Sequence, residues 1–448
     1  MTQYKKLGEF AKIQGGYAYK SIDFKDTGIP VLKIKNVGKG KLLFDDISYV
    51  DEVFIELTSN YITRAGDILI SMTGSHINQP ASMVGRVAKV SKDDPISLIN
   101  QRVGRVVLKK NALVDKRFLY YCLSQYKTQL YLVSNGSGSA NQININSRLI
   151  ESVDIPNLPY ETTVKIAHIL STLDDKIELN RKMNQTLEEM AQALFKSWFV
   201  DFDPVHARAN SRESDEVVAR ELGISKEVLE LFPSRFVESE LGLIPEGWEV
   251  KKISNFGLIV TGKTPPKKVE DAYANGDKPF ITPTDIDDSM FVTSTNRYLS
   301  RNGQDAIKNS FIASGSICVT CIGSKMGKTT IAPIDSFTNQ QINSIVVFNN
   351  ICRNYLFCNL RNRKKEIFRM GNSGSTMPIL NKSAFSKLPI ISAEKEILFY
   401  FNKKIEDMLS LVLANDMQNI TLQKTRDTLL PKLLSGELDV SNIEMELN

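Results

Sequence analysis

The chain has no apolar run long enough to span a membrane, and Met1 to Phe10 lacks the hydrophobic core of a secretion signal. Neither an integral membrane protein nor an exported one is expected. Cysteine is scarce, odd in number and unevenly spaced: Cys122, Cys318, Cys321, Cys352 and Cys358. That excludes a disulfide framework and suits a reducing, cytoplasmic setting. The three histidines, His76, His168 and His206, have no ligand spacing. His168 falls on a helix face, whereas His76, beside Gly74-Ser75 and Asn78-Gln79, is placed to touch a ligand. Catalytic signatures are missing as well: no paired carboxylates, Gly-rich cofactor loop or nucleophile elbow appears. Gly323-Ser324-Lys325-Met326-Gly327-Lys328-Thr329 is one residue short of a phosphate-binding loop, which needs four residues between its glycines. Cys318 and Cys321 have the spacing of a metal pair. They stand where an internal repeat has Leu69 and Met72, and on a strand they face opposite sides, so apolar packing is expected. No metal site and no catalytic residue is assigned.

What is present is a helical seam. Leu170, Leu173, Ile177, Asn180, Asn184, Leu187, Ala191, Leu194 and Trp198 alternate by three and four, as in a coiled coil. Adding 235 to each number gives Ile405, Met408, Val412, Asn415, Asn419, Leu422, Arg426, Leu429 and Leu433. An apolar stripe needs a partner, and this chain supplies its own. Asn180, Asn184, Asn415 and Asn419 are expected to set the register, because a slipped amide meets leucine rather than another amide. Two separate amphipathic helices, each on a globular core, would also give such stripes but would leave the matched asparagines to coincidence. Pro431 is expected to kink or end the second helix.

The formal charge of +5 hides an alternation. Residues 1–159 carry +7 and residues 249–391 carry +9, while 160–248 and 392–448 together carry −11. Basic globular blocks suit nucleic acid, though basic surfaces without that role also occur. The two blocks are a diverged repeat. Gly16 answers Gly262, Pro30-Val31-Leu32 answers Pro279-Phe280-Ile281, and Gly66-Asp67-Ile68-Leu69 answers Gly315-Ser316-Ile317-Cys318. Asn100-Gln101 answers Asn339-Gln340, and Ser137-Gly138-Ser139 answers Ser373-Gly374-Ser375. The offset drifts between 233 and 249, so a shared framework carries loops of different length. Short β-rich runs at Val31–Ile34, Asp67–Met72, Gly104–Leu108, Ile317–Ile322 and Ser344–Phe348 are joined by helical runs at Phe118–Leu132 and Asn354–Phe368. Each block is therefore α+β. Residues 205–248 are acidic, with a short helix at Lys226 to Leu231.

The seam helices, Ala193-Leu194-Phe195-Lys196-Ser197-Trp198-Phe199-Val200-Asp201-Phe202-Asp203-Pro204 and Leu430-Pro431-Lys432-Leu433-Leu434-Ser435-Gly436 resemble the conserved regions of a DNA-specificity (S) subunit of a Type I restriction–modification system. Gly15-Gly16-Tyr17-Ala18-Tyr19-Lys20-Ser21 and Thr261-Gly262-Lys263-Thr264-Pro265 resemble the starts of that family's two target-recognition domains. The resemblance covers nearly the whole chain. It implies a non-catalytic, cytoplasmic subunit that binds a bipartite double-stranded DNA site. It also implies two methyltransferase (modification) subunits that use S-adenosylmethionine, and restriction/translocase subunits that use ATP and Mg2+. The chain itself is expected to bind no cofactor. Two other readings stay open: a related bifunctional restriction/methylation system, and a coiled-coil scaffold for protein-binding modules.

The expected architecture is α+β, with two repeat-related target-recognition domains joined by two long antiparallel coiled-coil helices in a pseudo-twofold arrangement. Antiparallel pairing lets the chain return without a long crossing segment. The divisions are recognition domain 1 (1–159), helix 1 (160–204), a linker segment (205–248), recognition domain 2 (249–391), and helix 2 with its tail (392–448). Polar or basic residues on repeat-matched loops are the candidate DNA contacts: Ser71, Thr73, His76, Asn141 and Gln142 in the first domain, Lys263, Thr320, Lys325 and Thr376 in the second. Phe195, Trp198, Phe199 and Phe202 are candidates for docking a methyltransferase, the alternative being an internal plug against Leu433 and Leu434. A seam of 29 residues is roughly 43 Å long. That length suits half-sites about one DNA turn apart, with an unread spacer of roughly 5–8 base pairs.

Overall fold

The computed structural model describes residues 3–79, 82–139, 142–210, 214–371 and 378–443. The chain divides into two compact units, one of residues 1–176 with 422–448 and one of residues 177–421. Each contains one of the two basic blocks and part of both long helices.

The first unit is built on an antiparallel sheet in the order Ala11–Gly15, Val103–Leu108, Ile68–Ser71, Val87–Lys89. A second sheet runs Phe24–Lys25, Ser48–Val50, Ile29–Leu32, Leu98–Ile99, its last pair parallel. The other unit repeats the first sheet strand for strand and the second in three of its four strands, with Phe311–Ile312 added beside the parallel pair where the first unit has Phe24–Lys25 at the opposite edge. Gly257–Thr261, Ile342–Val347, Ile317–Thr320 and Thr329–Ile331 form one. Tyr298–Leu299, Lys278–Ile281, Ser336–Thr338 and Phe311–Ile312 form the other, with a parallel pair at Phe280 and Ile281.

The matched residues of the repeat turn out to be backbone requirements. Gly66 and Gly315 both sit at φ +81°, left-handed turns into equivalent strands where a side chain would be strained. A Cβ on Gly16 would lie 2.3 Å from the Asn100 carbonyl, and one on Gly262 2.0 Å from the Asn339 carbonyl. The Gly and Asn-Gln pairs therefore mark one close approach, made twice. In each unit the entering strand closes on the strand that leads into a long helix, Tyr4–Lys6 on Asp154–Pro156 and Glu249–Lys252 on Pro389–Ser392.

The first long helix spans Tyr160–Phe199 and the second Lys395–Ser435. In unit 2, Asn180 Nδ2 donates to Asn419 Oδ1 (3.0 Å) and Asn415 Nδ2 donates to Asn184 Oδ1 (2.8 Å). Numbers rise on one helix as they fall on the other, so the pair is antiparallel. In unit 1 the seam position Arg426 meets Asp174 at 2.7 Å, continuing the same direction. Ile166, Ala167 and Leu170 pack with Leu433 and Leu434 in the first core, and Ala191 and Phe195 with Phe401, Ile405 and Val412 in the second.

Pro431 does not end the second helix, which continues to Ser435. The proline costs about 3 kcal/mol in a helix interior. Leu433 and Leu434 beyond it are 3% and 1% exposed in the first core, and burying two leucines gives about 3–6 kcal/mol. Burial wins.

A carboxylate lies beside the asparagine layers. Asp416 Oδ1 accepts from Asn184 Nδ2 at 2.8 Å. Burial, then the charge of Glu188, pushes the Asp416 carboxyl up to about 6. A raised folded value means the disfavoured ionised form carries no penalty below the unfolded value of 3.8, and stability falls as pH rises through about 6. Asp416→Asn keeps an acceptor for Asn184 and removes the charge. It is expected to melt higher than wild type at pH 7.5, by of order 1–2 kcal/mol after solvent screening, with the gain fading towards pH 4. A variant less stable at both pH values would contradict this assignment.

Candidate nucleic-acid interface

In the first domain the strand Thr73–Gly74 pairs with Gln142–Asn144, which pairs in turn with Ser137–Ser139. This three-stranded ribbon brings together two loops that the sequence separates by some seventy residues. Gln142 is exposed on it, and His76, half-buried, follows two residues after Gly74. Thr73 is 5% exposed, and its hydroxyl donates to Asn144 Oδ1 at 2.8 Å, tying the loops together. Asn141 lies outside the described residues.

Ser71 is fully buried on the strand Ile68–Ser71, and its hydroxyl accepts from the Arg86 N–H at 3.0 Å. Its repeat counterpart Thr320 is also fully buried and accepts from the Lys328 N–H at 3.0 Å. Each hydroxyl secures the entry of the neighbouring strand, next to a left-handed glycine, Gly85 (φ +79°) or Gly327 (φ +85°). Ser71, Thr73 and Thr320 are thus internal supports rather than side chains presented to DNA. A small hydroxyl in the same place of both copies is the signal that marks them as framework.

Thr320 also donates to the Lys325 carbonyl (2.5 Å), closing the turn that carries this lysine. Lys325 is exposed, its ammonium donating to the Pro283 carbonyl at 3.0 Å, and Lys263 is exposed directly after Gly262. Thr376 lies outside the described residues. Cys318 and Cys321 face two different cores, and burial pushes both thiols up to about 12. They are packing residues. Among the described residues no group of His, Cys, Asp and Glu has the arrangement of a metal site.

The domains are fastened to the helices by polar contacts that the pattern analysis did not single out. In unit 1, Tyr121 donates to Asp174 at 2.7 Å, the carboxylate that also meets Arg426. In unit 2, Arg353 and Asn354 donate to Glu406 (2.7 and 2.6 Å), and Arg361 to Glu188 (2.6 Å). A charge interrupting an apolar seam, as at Arg426, was the available signal.

The proposed docking aromatics are not surface side chains. Phe195, Trp198 and Phe199 are 1%, 1% and 4% exposed. Phe199 packs against Tyr355 (4.7 Å between centroids) and Phe401 (5.0 Å), and Trp198 against Phe232 (5.1 Å). Phe202, half-buried with φ +54°, closes the cluster against Trp248 and Phe236. They form an internal plug. Its partners are these aromatics of unit 2, not Leu433 and Leu434, which lie in the core of unit 1. Segment 205–248 supplies Phe232 and Trp248 to this core and so is folded onto it.

Known proteins bear directly on this arrangement. A family model described as the Type I restriction modification DNA specificity domain matches residues 2–189 and again 245–425. A Haemophilus influenzae protein, the Type I restriction enzyme HindI specificity subunit, is 34% identical, with 94% of this chain and 95% of the relative aligned. The Type I restriction enzyme MjaIX specificity subunit of Methanocaldococcus jannaschii is 26% identical, with 99% and 98% aligned. Among solved structures, the Type I restriction–modification S subunit from M. genitalium shares the fold, with a TM-score of 0.58 at 15% identity over 98% of this chain and 96% of that one.

Removing a buried phenylalanine leaves a cavity that costs roughly 3–5 kcal/mol. Phe199→Ala is therefore expected to lower the melting temperature clearly. An unchanged melting temperature with loss of partner co-purification would instead return Phe199 to the surface.

Proposed function

This chain belongs to the family of Type I restriction–modification DNA-specificity subunits, and from that premise we propose that its two recognition domains each read one half of a bipartite duplex site. The observation that carries the reading is a single scaffold built twice, with the framework residues kept and the loop chemistry changed. Gly16 and Gly262, Gly66 and Gly315, and Ser71 and Thr320 do the same backbone work in both copies. The exposed side chains beside them do not match: His76 and Gln142 in one domain, Lys263 and Lys325 in the other. We take those four as the candidates for contact, with Asn141 and Thr376 retained from the sequence. Net charges of +7 and +9 over residues 1–159 and 249–391 supply attraction for phosphate. Domain limits of 1–159, 160–204, 205–248, 249–391 and 392–448 are part of the same proposal.

The chemistry is assigned to partners. Two methyltransferase subunits using S-adenosylmethionine, and restriction/translocase subunits using ATP and Mg2+, would assemble on this chain in the cytoplasm. With the aromatic plug internal, the docking surface moves to the outer faces of the long helices, where Leu179, Met190 and Met417 are 53%, 49% and 51% exposed. Among the described residues no helix is long and apolar enough to cross a membrane. The unread spacer is expected at roughly 5–8 base pairs, from the 29-residue seam within these helices.

Replacing residues 249–391 by the corresponding block of another family member tests the modular reading. One half-site should change while the other half and the spacer stay as they were, as read by mapping methylated sites. A change in both halves, or in neither, would contradict it.

A further inference from the structure

We propose that a cleft on the second recognition domain seats the sugar–phosphate ridge of a DNA strand, with Arg297 as its phosphate contact. The inference rests on the DNA-reading function above and names a contact that no repeat-matched loop contains. The cleft, of about 480 Å³, opens between Arg297 and the segment 264–274. Pro265 and Pro266 give it an apolar wall, and Lys267 and Arg297 outweigh Asp271, leaving the lining net positive. Apolar wall and positive charge together match deoxyribose and phosphate. A concave site also fits the projecting backbone of a duplex better than base edges recessed in a groove.

Arg297 is held for this task. Its guanidinium lies over two aromatic rings, 5.1 Å from the Tyr273 centroid and 5.2 Å from that of Phe280. Among the described residues no carboxylate forms an ion pair with it, so its N–H groups remain available to an incoming anion. Its carbonyl accepts from the Phe280 N–H (3.0 Å) and the Thr295 hydroxyl (2.7 Å), which fixes the backbone beneath the exposed side chain. Two signs of an incomplete surface lie in or directly beside the same wall. The Tyr273 hydroxyl is buried with no hydrogen-bond partner, and Asp271 and Asn275 hold left-handed backbones (φ +53° and +50°).

Among the described residues the first domain has no such contact. Tyr298 pairs with Pro279 in the second domain as Tyr49 pairs with Pro30 in the first, which puts Ser48 in the place of Arg297. Ser48 accepts from Lys33 at 2.9 Å instead. The phosphate contact therefore belongs to the second half-site alone.

The test uses the chain purified with the partners it requires for DNA binding, titrated with its mapped duplex and with duplexes altered at each read base pair, at several salt concentrations. Arg297→Ala should bind all of them about tenfold more weakly and lower the slope of log affinity against log salt by about one. Arg297→Gln, which keeps the side chain over Tyr273, should do the same with an unchanged melting temperature. Ser48→Ala should leave affinity and slope as in wild type. Unchanged affinity and slope in both Arg297 variants, or a loss confined to one base pair at full slope, would overturn the proposal. Failure of the wild-type assembly to bind any bipartite duplex would overturn the DNA reading itself.

Discussion

Four asparagine side chains in an otherwise apolar seam decide how this chain closes on itself. Asn180 bonds Asn419 and Asn415 bonds Asn184, and each pair consists of one residue from either half of the repeat. The exchange is reciprocal, which requires the two helices to run in opposite directions. A shift by one turn would set one amide of each helix against leucine, isoleucine or valine, leaving buried polar groups unpaired at about 1–3 kcal/mol each. The apolar positions on either side do not discriminate so sharply, because leucine tolerates leucine, isoleucine or valine. Stability comes from the flanking hydrophobic residues and register from the amides, a division of labour well suited to helices of 40 and 41 residues.

Once register is set, the recognition domains inherit their attachment. Tyr121 bonds Asp174 in one unit, and Arg353 and Arg361 meet Glu406 and Glu188 in the other. These contacts are partly or largely shielded from solvent, so a missing partner would strand a charge, which is costly. The aromatic plug of Phe195, Trp198, Phe199 and Tyr355 does the same by burial alone. Rigid fastening at the base leaves the loops free to vary. A specificity subunit needs that combination, since its target changes by loop chemistry while its frame must not.

Much of the frame was legible in the sequence because it rests on periodicity and backbone geometry. The three–four alternation and the constant offset of 235 located both helices and their asparagines. Gly16 with Asn100, and Gly66 with its strand, could be matched to their counterparts because only glycine meets those steric demands. Side-chain direction was less legible. Ser71, Thr73 and Thr320 are polar residues near loops, yet they point inward and serve the strands. The aromatic run after the seam looks like a docking patch in one dimension and is a core in three, because Phe232, Trp248 and Phe401 arrive from elsewhere in the chain. Pro431, expected to kink or end the helix, does not end it, because its local cost is outweighed by burial of Leu433 and Leu434, which only the tertiary packing reveals. Arg297 escaped notice because matching the repeats favours what the copies share, and this residue has serine as its counterpart.

The proposal that one scaffold, used twice, reads two separate pieces of DNA can be checked inside a cell. It is tested most directly by expressing the chain with the methyltransferase of its own system in a host lacking other methylation, and sequencing the genome for modified bases. The expected result is a single bipartite motif, two short specific half-sites around an unread spacer of roughly 5–8 base pairs. A continuous motif, or methylation that does not depend on this chain, would contradict it.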